Sequence, residues 1–215
     1  MSARPNAILF DWDSTLVDNW PGVTAAMNAA LNAFDLPSWT ETEMRARAKR
    51  SMRDNFPTIF GARWEEARDV FYKAFEERHL SALQALAGAE DLLSALRDRS
   101  MLLGVVSNKN GDFLRAEAEV LGWSGYFHRI VGATDAKKDK PAREPVDLAL
   151  MDSGHSAGER VWFVGDSLVD LQCGIESGCT AVLIGDDPIS EADLEKWPPA
   201  FHFADCDEMR RALTD

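Results

Sequence analysis

The sequence predicts an α/β protein: a doubly wound, parallel-sheet core of the Rossmann-like kind with an α-helical segment inserted into it. Three observations carry this reading. Near the start, Ala7, Ile8, Leu9 and Phe10 form a short apolar run bounded by polar residues, as suits a strand covered on both faces. Residues 20 to 80 keep apolar residues at helical spacing with no convincing strand among them. From Gly88 onward, strand and helix patterns alternate to the end, which is how a parallel sheet with crossover helices is written in sequence.

Taken in order, the helical stretch opens with PGVTAAMNAALNAF, where Pro21 stands near the helix start, and continues through TETEMRARAKR and WEEARDVFYKAFEERHL. Then follow helix AEDLLSALRDR, strand LLGVVS, helix DFLRAEAEVLG, strand RIVGA, helix PVDLALMDS, strand VWFVG, helix LVDLQCGIESG, strand TAVLIG and the closing MRRALT. The simplest organisation is a core of residues 1–14 and 83–215 with a helical insertion over 15–82. There is no internal repeat or low-complexity tract.

Composition bounds the function. At 215 residues and 46% hydrophobic, the chain can bury a sizeable core. A net charge of −13 and a pI near 4.7 argue against nonspecific binding to nucleic acid or anionic membrane, because the field of the whole protein repels polyanions. A small anionic substrate would need locally placed cations. Cys173, Cys179 and Cys206 form no CxxC pair and no disulfide framework, which fits a reducing compartment. With neither a signal-like N-terminus nor a run of membrane-spanning length, the expectation is a cytoplasmic, unexported protein.

Four stretches carry chemistry, each at a predicted strand end, where open α/β sheets bind ligands. Asp11 and Asp13 follow the first strand in DWDST. Two carboxylates so close repel unless a shared proton or a divalent cation neutralises them, and oxygen ligands favour a hard ion such as Mg²⁺. The plainer alternative is a solvated, helix-capping turn. Ser107 follows LLGVV and offers a hydroxyl to a phosphate oxygen, or serves only as a helix-entry residue. KKDKPAREP brings lysines that can counter anionic charge or simply face solvent. In VWFVGDSLVD, Asp166 follows a strand and Asp170 comes four residues later, on one face of any helix starting there.

Acids after two strands, a hydroxyl after a third and a lysine before a fourth helix, in that order, make coincidence a poor explanation. The ordered set DWDST, Ser107-Asn108, Lys140-Pro141 and GDSLVD resembles the haloacid dehalogenase-like hydrolase superfamily, in its phosphoglycolate phosphatase-like branch with a helical cap, over nearly the whole chain. The resemblance implies that Asp11 is a nucleophile forming an aspartyl phosphate and that Asp13 is the general acid and base. It implies Mg²⁺ held by Asp11, the main-chain carbonyl of Asp13 and Asp166, with Asp170 in the outer shell. Ser107 would hold a phosphoryl oxygen supported by Asn108, and Lys140 would offset charge between nucleophile and phosphate. Dehalogenases of the superfamily lack the second aspartate, so Asp13 points to phosphate chemistry. The implied partner is a small phosphorylated metabolite, with 2-phosphoglycolate leading. A sugar-phosphate mutase on the same fold and, more distantly, a phospho-aspartate signalling module are the alternatives.

One departure from the family pattern is Arg143 in KPAREP, where a proline is usual; Lys137 and Lys138 also lie close to Lys140. The inserted cap is where the family selects its leaving group. Within RARAKRSMR, an acid-free stretch over residues 45–53, Arg50 or Arg53 would pair with a substrate carboxylate, against the alternative of a solvated basic face. The histidines show no zinc spacing, and the seven tryptophans, Trp12, Trp20, Trp39 and Trp64 among them, read as packing residues. Gly174 and Gly178 read as close packing and helix termination rather than a dimerisation signal.

Overall fold

A computed structural model describes residues 4–47, 52–186 and 188–214. The chain divides into two compact units: one is built from Met1–Val17 and Ala85–Asp215, the other from Asp18–Gln84.

The first unit is organised by six parallel strands: β1 (Ala7–Phe10), β2 (Leu102–Asn110), β3 (Arg129–Ala133), β4 (Val161–Gly165), β5 (Thr180–Ile184) and β6 (Phe201–Phe203). Their spatial order is β3-β2-β1-β4-β5-β6, so the sheet grows outward in opposite directions from β1 and β4. This is the doubly wound α/β fold, and the order reverses between those two strands, where such sheets open a crevice. Register fixes the neighbours there: Phe10 lies opposite Val105 of β2 on one side and Val164 of β4 on the other.

Each residue of β1 is fully buried, which explains an apolar run without alternation. Ala7 and Leu9 join Val106, Val131, Val161 and Phe163 in one apolar layer, completed by Val146, Ala149 and Leu150 from helix Glu144–Leu150 and by Cys173 from helix Leu168–Glu176. Leu92, Leu93 and Leu96 of helix Ala89–Asp98 and Met209 and Leu213 of helix Cys206–Thr214 are buried as well. The three cysteines are free and buried, and burial pushes the Cys173 and Cys206 thiols up to about 12 and Cys179 up to about 11.

Three details differ from the sequence expectation. The strand expected over 102–107 runs on to Asn110, because β2 regains pairing with Ala133 of β3 after a register shift between Val106 and Asn110. Strand β6 and helix Glu191–Lys196 were not expected: FHF is only three residues long and lies on the sheet edge, too short for a legible period. The chain leaves the first unit after Val17 and returns at Ala85, rather than after residues 14 and 82.

The second unit is helical: Trp20–Ala33, Glu41–Arg47, Met52–Phe60, Trp64–Glu76 and His79–Ala82. Its core is aromatic. Phe56 contacts Phe60 and Phe71 at ring-centroid distances of 5.1 and 5.7 Å, Phe71 stacks on Phe75 at 5.7 Å, and Phe75 stacks on His79 at 4.9 Å. Among the described residues, no helix is long and apolar enough to cross a membrane.

Gly174 marks where helix Leu168–Glu176 presses on the sheet. A Cβ there would stand 3.1 Å from the Phe163 Cβ and 3.2 Å from that of Ala181, tighter than an ordinary contact. Gly174→Val should therefore destabilise the protein by about 1–3 kcal/mol, read as a lower urea midpoint at unchanged slope.

Candidate active site

Asp11 leaves β1 on the crevice side of the sheet, and its main-chain N–H donates to the Val164 carbonyl of β4 at 2.8 Å. The turn that follows is tight: the N–H groups of Leu16 and Val17 both donate to the Trp12 carbonyl, at 2.9 and 3.1 Å. Ser14 takes a left-handed backbone conformation, φ 62°, uncommon for a residue with a side chain. Asp166 follows β4 directly, and the Thr15 hydroxyl donates to its Oδ1 at 3.4 Å. Carboxylate oxygens of Asp11, Asp166 and Asp170 lie within 4.8 Å of one another, all three buried.

Lys140 is set into this cluster. Its side chain is 2% exposed, and Nζ lies 2.6 Å from Asp11 Oδ1 and 2.7 Å from Asp170 Oδ1. The Asp11 contact is a short, buried ion pair. Burial alone would lower the lysine pKa, but the two carboxylates hold it above the ordinary value, so the ammonium stays charged. Its backbone is gripped by the Asn108 side-chain amide, whose Oδ1 accepts from Lys140 N at 2.9 Å and whose Nδ2 donates to Lys140 O at 3.2 Å. Asn108 is thereby a clamp on the lysine. Lys137 and Lys138 are exposed, and Lys138 pairs with Glu144 at 3.2 Å.

Asp170 has a double engagement. Its Oδ2 accepts from the Ser167 N–H at 3.1 Å and the Ser167 hydroxyl at 2.5 Å, closing a capping box on helix Leu168–Glu176, while Oδ1 meets Lys140. A carboxylate with both oxygens so occupied suits the outer shell of a cation site. Ser107 is buried within β2, at the register shift after Val106, its Oγ accepting the Lys109 N–H at 3.2 Å. Arg143, the departure from the family pattern, pairs with Asp147 at 3.0 Å just ahead of and within helix Glu144–Leu150.

Lys109 and Glu117 escaped the sequence reading. Lys109 Nζ lies 2.8 Å from Asp13 Oδ1 and 2.7 Å from Glu117 Oε2, and Glu117 is fully buried. A signal was present: Glu117 falls in helical phase with Leu114, Ala118 and Leu121, the apolar side of its helix. Of the basic stretch in the helical unit, Arg45 pairs with Glu41 at 2.9 Å and sits 4.9 Å from the Trp20 ring, and Arg47 lies 4.4 Å from the Trp39 ring. Arg53 is exposed on helix Met52–Phe60, and Arg50 lies outside the described residues.

Electrostatically the cluster is acid-rich: Asp11, Asp13, Asp166, Asp170 and Glu117 face the two ammonium groups of Lys109 and Lys140. Burial, partly offset by Lys140 and reinforced by the Asp170 charge, pushes the Asp11 carboxyl up to about 6. Burial likewise raises Asp13, against the pull of Lys109. An all-oxygen donor set with an excess of negative charge fits a hard divalent cation.

Buried acids, a hydroxyl and a lysine thus gather near the switch point of a doubly wound α/β sheet. The chain belongs to the haloacid dehalogenase-like hydrolases, whose family model matches residues 8–184. Among its relatives, the phosphoglycolate phosphatase of Escherichia coli (strain K12) is 28% identical over 206 residues, 81% of this chain and 79% of that one. That of Pectobacterium atrosepticum is 30% identical over 183 residues, 81% and 78%. Among solved structures, a superfamily hydrolase from Ehrlichia chaffeensis matches with TM-score 0.67 at 26% identity, covering 98% of this chain and 96% of that one. A haloacid dehalogenase-like family hydrolase from Streptococcus pneumoniae shares the fold with TM-score 0.85 at 22% identity, covering 97% and 98%. The protein is a phosphatase of this superfamily.

The raised Asp11 carboxyl has a thermodynamic consequence. A group that holds its proton more tightly folded than unfolded contributes stability below the unfolded value of 3.8, and that contribution is lost as pH rises through about 6. In the metal-free protein at pH 8, Asp11→Asn should therefore raise Tm by roughly 5 °C, and the gain should shrink at pH 5; thermal melts at the two pH values check this.

Proposed function

We propose that the protein is a magnesium-dependent phosphomonoesterase that works through phospho-Asp11, with 2-phosphoglycolate as its leading substrate. The observation that supports the reading is the gathering of Asp11, Asp166 and Asp170, with Lys140 set between Asp11 and Asp170, at the mouth of the sheet in a chain of this family.

Asp11 is the attacking carboxylate. Its oxygen forms a bond to phosphorus as the ester P–O bond breaks, and the departing alcohol oxygen takes a proton from the Asp13 carboxyl. In the second half, Asp13 as carboxylate takes a proton from water, the water oxygen attacks phosphorus, and the bond to Asp11 breaks to release inorganic phosphate and restore both acids. Lys140 offsets the repulsion between the Asp11 carboxylate and the phosphate dianion, and the Ser107 hydroxyl donates to a phosphoryl oxygen. Asp11, Asp166 and the main-chain carbonyl of Asp13 would hold Mg²⁺, with Asp170 acting behind them. When bound, the cation neutralises the charge of the acid cluster and of the phosphoryl group.

The unit Asp18–Gln84 would serve as the cap that selects the leaving group, with Arg50 or Arg53 meeting the substrate carboxylate. Relatives named phosphoglycolate phosphatase support a small phosphorylated metabolite as substrate.

Phosphate release from a panel of phosphomonoesters should depend on Mg²⁺, stop with EDTA, and fall by more than about 10³-fold in Asp11→Asn, in line with the loss of a nucleophile. No release on any ester would overturn the assignment. Arg50→Ala and Arg53→Ala should lower the preference for 2-phosphoglycolate over neutral phosphate esters by roughly tenfold, the worth of one charge-assisted contact. An unchanged preference in both variants would remove the arginines from substrate selection.

A further inference from the structure

The site contains two ion-paired chains of the same design. In one, Asp11 meets Lys140, Lys140 meets Asp170, and Asp170 is anchored by Ser167. In the other, Asp13 Oδ1 meets Lys109 Nζ at 2.8 Å, Lys109 meets Glu117 Oε2 at 2.7 Å, and the same Glu117 oxygen accepts the Trp12 indole N–H at 2.8 Å. The second chain grades from wet to dry: Asp13 is 23% exposed, Lys109 6% and Glu117 0%.

The apolar side chains around Glu117 do not themselves call for a charge. Its helical neighbours Leu114 and Ala118 are fully buried apolar residues, and Trp12 packs edge-on against Trp123 at 5.9 Å and Phe127 at 6.4 Å. A buried ion pair in such surroundings is a poor source of stability, since desolvation consumes most of the attraction. What the chain does supply is a fixed position for Asp13. Lys109 occupies Oδ1 from the core side, 96 residues away along the sequence, and Glu117 with Trp12 holds the ammonium in place.

We infer that Lys109 and Glu117 are positioning residues for the acid–base carboxyl: Lys109 tethers Asp13 by Oδ1 and turns Oδ2 toward the leaving-group oxygen. The inference rests on the assignment of Asp13 as general acid. Tethering matters most where proton donation matters most, which is the release of a poor leaving group. An alkyl phosphate needs its departing alkoxide protonated, whereas p-nitrophenolate departs with little help.

The test compares first-turnover leaving-group release from the best alkyl phosphate and from p-nitrophenyl phosphate, with Mg²⁺ present, in wild type, Lys109→Met, the double variant Lys109→Met/Glu117→Gln and Asp13→Asn. The double variant removes both charges and leaves Trp12 an acceptor, so it stays informative where Lys109→Met alone fails to fold. The expected result is a loss of about 10²-fold on the alkyl ester against no more than about fivefold on the aryl ester, with Asp13→Asn showing the same selectivity more deeply. Equal losses on both esters in the lysine variants, beside a selective loss in Asp13→Asn, would reduce Lys109 and Glu117 to structural residues. No selectivity in Asp13→Asn would overturn the acid–base assignment of Asp13, and the tether with it.

Discussion

The ion pairs of Lys140 are the constraint on which the rest of the site depends. Three carboxylates, those of Asp11, Asp166 and Asp170, converge at the mouth of the sheet, and without a cation among them Asp11 and Asp170 would repel at close quarters in a poorly solvated space. Lys140 answers this from within the core, and each of its neighbours has a second duty that holds it there. Asn108 grips the lysine backbone with both ends of its amide, and Asp170 closes the first turn of a helix with its other oxygen. Three segments far apart in sequence are thus fastened around one ammonium group. The cost of burying it is shared among contacts that the fold needs in any case.

The fold was legible because its signals are periodic. A fully apolar β1, the alternation after Gly88 and the helical spacing before it each follow from how strands and helices bury their side chains. What escaped was short or aperiodic: β6, whose three residues rely on the edge of β5, and the end of β2, where a register shift rather than a turn carries Ser107 to Asn110. These depend on pairing partners that lie far away along the chain.

The site was legible in a different way. Asp11 and Asp166 directly follow β1 and β4, neighbours at the switch point, so topology alone brings them together once the strand order is known, while Ser107 lies within β2 and Lys140 in the segment ahead of helix Glu144–Leu150. Lys109 and Glu117 were hidden because a lysine just past the expected strand end and a glutamate on a helix usually face water. Only the helical phase of Glu117, among Leu114, Ala118 and Leu121, sets it apart. Arg45 and Arg47 show the opposite case: a basic cluster that stands out in sequence is partly spent on acids and aromatic rings of its own helical unit.

Asp11, Asp13, Lys109, Glu117, Lys140, Asp166 and Asp170 all belong to the unit built from Met1–Val17 and Ala85–Asp215, and the other unit is a single uninterrupted stretch of chain, Asp18–Gln84. The reaction apparatus and the inserted module are therefore separable as sequence. A graft that exchanges one continuous block leaves every carboxylate, lysine and capping contact described above in its own reading frame and its own sheet.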